Sequence, residues 1–230
     1  MQAGNAFYRT AQDIPTNMPI LSLASVVLLP GGFIAVQIDE PQNIRLADEA
    51  MRTNRLIGLV QPAMDNVSQI SVLDNGTRLC DVGCIARITS YSEVGDGNIL
   101  ISLHGVCRFR IANRIVSDSP YLRCKVSPFF DDLIAGQQES DINRDAFLSV
   151  FQDYLEFNQI DADWDTILEA SNETLINAMS TLAPFRGEEK QALLEAPDLK
   201  TRSETLIAIA ERSILGHNSN NHANRHSVLQ

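Results

Sequence analysis

The side chains able to do chemistry are few, and their spacing argues against most uses. Lysine occurs three times, as Lys125, Lys190 and Lys200, and none follows a glycine, so the Gly-Lys-Ser/Thr of a phosphate-cradling loop is missing. No Gly-x-Ser-x-Gly elbow presents a serine nucleophile. A Ser–Lys pair needs a desolvated lysine. Lys190 instead lies among Glu188, Glu189 and Glu195, which favour its charged form and predict surface ion pairing. Cys80, Cys84, Cys107 and Cys124 lie in or beside strand patterns, and no second closely spaced pair accompanies Cys80 and Cys84. Buried, reduced thiols are therefore expected in place of a metal or redox centre. His222 and His226 stand four apart, the spacing of two zinc ligands on a helix face, but Ala223 occupies the place of the metalloprotease glutamate. With His217 they read as a solvated tail. Asp161, Asp163 and Asp165 begin like a calcium loop, yet Thr166 stands where the loop needs glycine and Asn172 where it needs glutamate. His104 is alone in a strand pattern and reads as a satisfied structural residue. No catalytic residue, metal or cofactor is expected.

The chain has 230 residues and a formal charge of −11, which repels phosphate backbones and anionic lipid, so neither nucleic acid nor membrane is an expected partner. No apolar run reaches the roughly 18 residues of a membrane span. The first 17 residues lack the basic start and apolar stretch of a secretory signal, so a cytoplasmic location is expected.

The elements that must position any site centre on residues 79–115. Val82 to Tyr91 and Ile99 to Ile111 alternate apolar and polar positions, the mark of strands with one buried face. Gly95-Asp96-Gly97-Asn98 between them supplies a tight hairpin turn. Gly105 is expected to break the second run, with a third short strand resuming at Val106. Upstream, Met18 to Leu29 and Phe33 to Ile38 read as strands around the Pro30-Gly31-Gly32 turn, Pro41 opens a helix to about Arg52, and Leu56 to Val60 is a buried strand. Ala63 to Arg78 reads as loop. Tyr121 to Phe130 reads as a last strand, with Pro128 marking an edge or an end. Beyond an acidic stretch at 131–141 the period becomes helical. Phe147, Val150, Phe151, Tyr154 and Leu155 form one stripe, Ser171 caps a break in the next helical stretch, and Asp198 caps a last helix that Gly216 should stop. Residues 1–17 are expected to be a flexible lead-in, 18–130 a β-rich domain, 131–215 a helical domain and 216–230 a disordered tail.

Three blocks in this order and spacing resemble the N-terminal, substrate-binding domain of the Lon ATP-dependent proteases. They are Met18 to Ile38, Leu79 to Ile111 and Ser171 to Ala210. The middle block matches the family's Val-Gly-x-x-Ala-x-Ile … Gly-x-x-Arg signature through Val82, Gly83, Ala86, Ile88, Gly105 and Arg108. The last carries the Glu-Lys-Gln-x-Leu-Leu-Glu core at Glu189 to Glu195. The resemblance implies an α+β fold, a β-rich pseudo-barrel packed with a helix and followed by a C-terminal helical bundle. It also implies recognition of unfolded or damaged protein segments for delivery to proteolysis. The ATPase and Ser–Lys peptidase of the full-length family have no room in this length, so a non-catalytic binding module is expected.

The binding site is expected where the Pro30-Gly31 turn exposes Phe33 and Ile34, or along an edge strand from Tyr121 to Phe129. There an extended peptide could add to the sheet. An adaptor for a separate ATP-dependent protease, a self-associating assembly protein, a hydrolase with an unrecognised site and a small-ligand sensor are the rival readings.

Overall fold

The computed structural model describes residues 1–64, 67, 70–73, 76–134 and 142–226, with side chains as far as residue 215. Two compact units divide the chain: residues 1–137 with 177–195, and 138–176 with 196–230.

In the first unit the strands are β1 (Gln2–Ala3), β2 (Ala6–Phe7), β3 (Asn17–Ser22), β4 (Phe33–Ile38), β5 (Leu56–Val60), β6 (Ile70–Val72), β7 (Arg78–Cys80), β8 (Val82–Gly95), β9 (Asn98–Arg114) and β10 (Arg123–Pro128). Helix α1 (Pro41–Arg52) lies in the crossover from β3 to its parallel neighbour β5. Pro41 at the first turn loses no helical hydrogen bond, which is why the helix starts there. The sheet runs β10-β3-β5-β8-β9, and β9 pairs back onto β10, so five strands close a ring. β9 is 17 residues long and serves two neighbours on one flank: residues 99–104 hold β4 and residues 109–114 hold β10. Gly95-Asp96-Gly97-Asn98 makes the expected turn, with φ of 51° at Asp96 and 78° at Gly97. Positive φ at both central residues is what the twist of a two-residue hairpin requires.

Gly105 does not end the second run. β9 continues through it, and the register passes from Ile85 opposite Cys107 to Ala86 opposite Gly105, leaving Val106 as an extra residue. That bulge reverses the faces of the strand. Ile99, Ile101 and Leu103 pack with Leu46, Ala47 and Ala50 of α1, whereas Cys107, Phe109 and Ile111 join a second cluster with Ile20, Leu56, Ile85 and Val126.

Residues 1–17, expected to be a flexible lead-in, form the β1–β2 hairpin and a 3₁₀ turn, and Ala3, Tyr8 and Ile14 are buried in the second cluster. The stretch expected to be loop contains β6 and β7, paired from Ile70–Cys80 to Val72–Arg78; residues 65–66, 68–69 and 74–75 of it lie outside the described residues.

Helix α5 (Gly187–Glu195), with the preceding residues from Asn177 onward, belongs with the strands. Two buried glutamines explain this. Gln61 Nε2 donates to the Gly187 carbonyl and to Gln191 Oε1, both at 3.0 Å, and Gln191 Nε2 donates to the Val82 carbonyl. Leu194 packs with Val27, Leu29 and Val82. A single boundary near residue 131 therefore differs from the observed division.

The second unit contains α2 (Arg144–Phe157), α3 (Trp164–Glu169), the start of α4 (Asn172–Leu182) and α6 (Leu199–His226). Of the predicted stripe on α2, Phe147, Tyr154 and Leu155 are buried, and Phe151 stacks on Phe147 and meets Trp164 edge-on. The caps are where the residue types put them: Ser171 Oγ accepts from the Thr174 amide and Asp198 Oδ1 from the Thr201 amide. Asp163, one of the calcium-loop candidates, caps α3 through the Thr166 amide. Gly216 does not stop the last helix, which runs on to His226; residues 227–230 of the expected tail lie outside the described residues.

Candidate functional site

The closed ring leaves one strand at a sheet end. β4 pairs with β9 on one side, and no strand lies on its other side among the described residues. The phase of the pairing follows from its first bonds. The Gly105 amide donates to the Gly32 carbonyl at 2.9 Å, and the Gly31 amide donates to the Gly105 carbonyl at 3.0 Å. Antiparallel pairs alternate between bonded and non-bonded, so Ile34, Val36 and Ile38 bond to β9, while Phe33, Ala35 and Gln37 turn their N–H and C=O groups outward. The side chains divide the same way. Ile34 and Val36 pack on the cluster around α1, and Phe33, Ala35 and Gln37 are exposed.

Phe33 is 57% exposed, so it is not a core residue. Its ring lies 3.8 Å, centroid to centroid, from the ring of His104, its cross-strand partner. His104 is only 8% exposed and its Nδ1 has no hydrogen-bond partner. The expectation of a satisfied histidine is therefore corrected. Burial also pushes the His104 pKa below the ordinary 6.5. Below that ordinary value the unfolded chain takes up a proton that the buried ring resists, so this residue makes stability fall as pH drops from 6.5 toward the depressed native value. His104→Leu should flatten that part of the profile, as checked by urea midpoints of both proteins at about pH 5.5 and about pH 7.5.

The other candidate residues take different places. Pro30 is buried, and its carbonyl accepts from Asn177 Nδ2 at 3.1 Å, which anchors the turn. Gly31 is exposed at φ 77°, a conformation that favours glycine. The stretch from Tyr121 to Phe129 is not an edge. β10 pairs with β3 through Arg123–Lys125 and with β9 through Cys124–Pro128. Pro128 ends the strand in a ring that closes around it. Phe129 lies under the Arg108 and Arg110 guanidinium groups, at 5.3 and 6.0 Å, and serves as packing. Tyr121 lines a cleft of about 400 Å³ beside Glu40, Arg78 and Arg114.

The reactive side chains are occupied or unreactive. Burial pushes the Cys80 thiol up to about 11 and the Cys107 thiol up to about 12, which keeps both protonated at neutral pH. All four cysteines are buried and unbridged. Lys190 does not pair with the flanking glutamates; its Nζ donates to the Thr181 carbonyl at 3.1 Å. Among the described residues no group of three His, Cys, Asp or Glu side chains converges as a metal site would require. No described helix is long and apolar enough to cross a membrane.

A closed barrel sheet with one edge strand among the described residues, in a chain that also has a helical unit, defines the class: an α+β fold whose distinctive surface is a strand edge with an exposed aromatic residue. The chain belongs to the ATP-dependent protease La (LON) substrate-binding domain family, whose model matches residues 17–212. It is 26% identical over 204 residues to Lon protease 2 of Myxococcus xanthus and 30% identical over 209 residues to the Lon protease of Flavobacterium johnsoniae, matches that take in 87% and 85% of this chain. It spans about a quarter of the length of these relatives, 24% of each. The Lon N-terminal domain protein of Xanthomonas campestris has the same fold at a TM-score of 0.59 and 22% identity, over 84% of this chain and 98% of that one. The N-terminal domain of the Mycobacterium avium complex Lon protease matches at a TM-score of 0.64 and 16% identity, over 85% of this chain and 98% of that one.

Proposed function

We infer that this chain is a non-catalytic protein-binding module that captures unfolded or damaged protein segments along β4. The observation that carries the reading is the edge of β4 that no described strand pairs, with outward backbone groups at Phe33, Ala35 and Gln37 and an exposed Phe33 ring at its head. Unfolded chains have free backbone donors and acceptors, which native proteins have already used, so an open edge selects for them through main-chain bonds. The protonated thiols and the committed Lys190 support a role without covalent chemistry.

The test is retention of a reduced and alkylated test protein, against its native form, on the immobilised full chain. The unfolded form should be retained and the native form should wash through. Phe33→Ser should weaken retention about tenfold or more, the usual size for a central aromatic anchor. Equal retention of the two forms would sink the reading. Casein should stay intact with or without ATP and magnesium; cleavage abolished by one Ser or Cys substitution would make the chain a hydrolase. Co-purification of an ATP-dependent protease through a surface other than β4 would favour the adaptor role.

A further inference from the structure

The chemistry of the β4 edge changes along its length. At one end stand the exposed Phe33 ring and His104, with Arg87 opposite His104 on β8. The Arg87 guanidinium is fixed by the Tyr8 hydroxyl, the Asn54 carbonyl and Asn5 Oδ1. At the other end Ile38 lies abreast of Ile99 on β9, Asp39 follows directly in the chain, and Asp96 sits in the β8–β9 turn. Asp39 and Asp96 are both exposed. Phe33, Ala35 and Gln37 share the outer side, and Asp39 continues it one step past the strand, about 20 Å from Phe33 at roughly 3.3 Å per residue.

We propose that this edge takes an extended segment antiparallel to β4, with an aromatic or aliphatic side chain against Phe33 and a lysine or arginine six residues earlier against Asp39 and the Asp96 turn. The direction follows from the backbone. Phe33, Ala35 and Gln37 each offer both groups to the same side, and an antiparallel partner exchanges two bonds with each, whereas a parallel one accepts slanted and slightly weaker bonds. The charge order follows from complementarity: a cation is attracted at the acidic end and repelled by Arg87 at the other. A second copy of this chain fits poorly, because it brings another −11 and, paired antiparallel in this register, its β4 sets an apolar Phe33 where the edge favours a base and Asp39 where it favours an apolar side chain. The proposal rests on the reading of the chain as a binder of extended segments and names which segments bind.

The probes are two labelled peptides of identical composition in a Ser/Thr background, one with lysine six residues before phenylalanine and one with the order reversed. Fluorescence anisotropy with the full chain should show the first binding about fivefold tighter, the size expected of exposed charge pairing. The preference should shrink at high salt. Asp39→Lys with Asp96→Asn, both at exposed positions, should abolish it. Ala35→Pro removes only an outward N–H and should cost binding of both peptides. Equal affinity for the two peptides, binding unaltered in a folded Ala35→Pro protein, or a dimer that excludes the peptides would overturn the proposal. If the unfolded test protein is still retained on the column, only the edge assignment falls; if it is not, the binding-module reading falls with it.

Discussion

Arg108→Ala should lower the stability of the strand-bearing unit by about 3–5 kcal/mol, the cost of leaving one half of a buried ion pair alone. Arg108 and Asp132 side chains are 7% and 11% exposed. Asp132 Oδ2 accepts from Arg108 Nε at 2.9 Å and from the Arg108 amide at 2.8 Å, and Oδ1 accepts from Nη2 at 2.8 Å. Nη1 reaches the Leu194 carbonyl on α5 at 3.2 Å. One side chain thus ties β9 to the 3₁₀ turn after β10 and to the end of α5, and it spreads over the Phe129 ring. Truncation strands the Asp132 carboxylate in a place that water reaches poorly. Asp132→Ala should cost a similar amount, since it also orphans the Arg108 amide. Arg108→Met with Asp132→Leu should recover part of the loss, because an apolar pair of like volume replaces the two charges. Urea titrations of the parent, the two alanine variants and Arg108→Ala with Asp132→Ala close the cycle. Additive single losses would mean that the pair is not coupled.

Arg108 also marks what could be read without coordinates. It stands out in the Gly-x-x-Arg spacing, but its partner lies 24 residues away in an acidic stretch that looked like a boundary. Local patterns were legible for the same reason that they form: alternation along β8 and β9, positive φ at Asp96 and Gly97, and caps at Ser171 and Asp198 are set by near neighbours. What depended on distant partners was not. Pro128 lacks a donor and so suggests an edge, yet β10 is flanked by β3 and β9, which close the ring on both its sides. Gln61 and Gln191 are polar, and nothing in their neighbourhoods announces that they find each other and carry α5 onto the strands. The candidate site divides along the same line. Phe33 and Ile34 follow a turn that must leave them near an end, whereas Tyr121 and Phe129 were placed by a mistaken edge.

Gly105→Ala should destabilise the same unit by about 2–4 kcal/mol and should also cost ligand capture beyond what stability explains. A Cβ built on Gly105 overlaps the carbonyl oxygen of Leu29 and comes within 3.2 Å of Leu28 Cγ. The obstacle is backbone, so no side-chain rotation relieves it. Leu28 and Leu29 are fully buried and lead straight into Pro30, while Gly105 itself bonds to the Gly31 amide and the Gly32 carbonyl. Relief therefore requires the 28–32 segment to lift from β9, which breaks the two bonds that set the phase of β4 and brings its outward groups out of line. The substitution acts at the bulge that reverses the faces of β9, so the Cys107, Phe109 and Ile111 side is disturbed with it. Ser102→Ala is the control: it faces Ala35 on the same strand but fills no backbone contact of this kind, and a loss of under about 0.5 kcal/mol is expected. Urea midpoints measure the first effect. Retention of the unfolded test protein, at a urea concentration where both variants remain folded, measures the second. A Gly105→Ala protein as stable as its parent would mean that the Leu29 carbonyl can move aside, and the phase argument for β4 would lose its anchor.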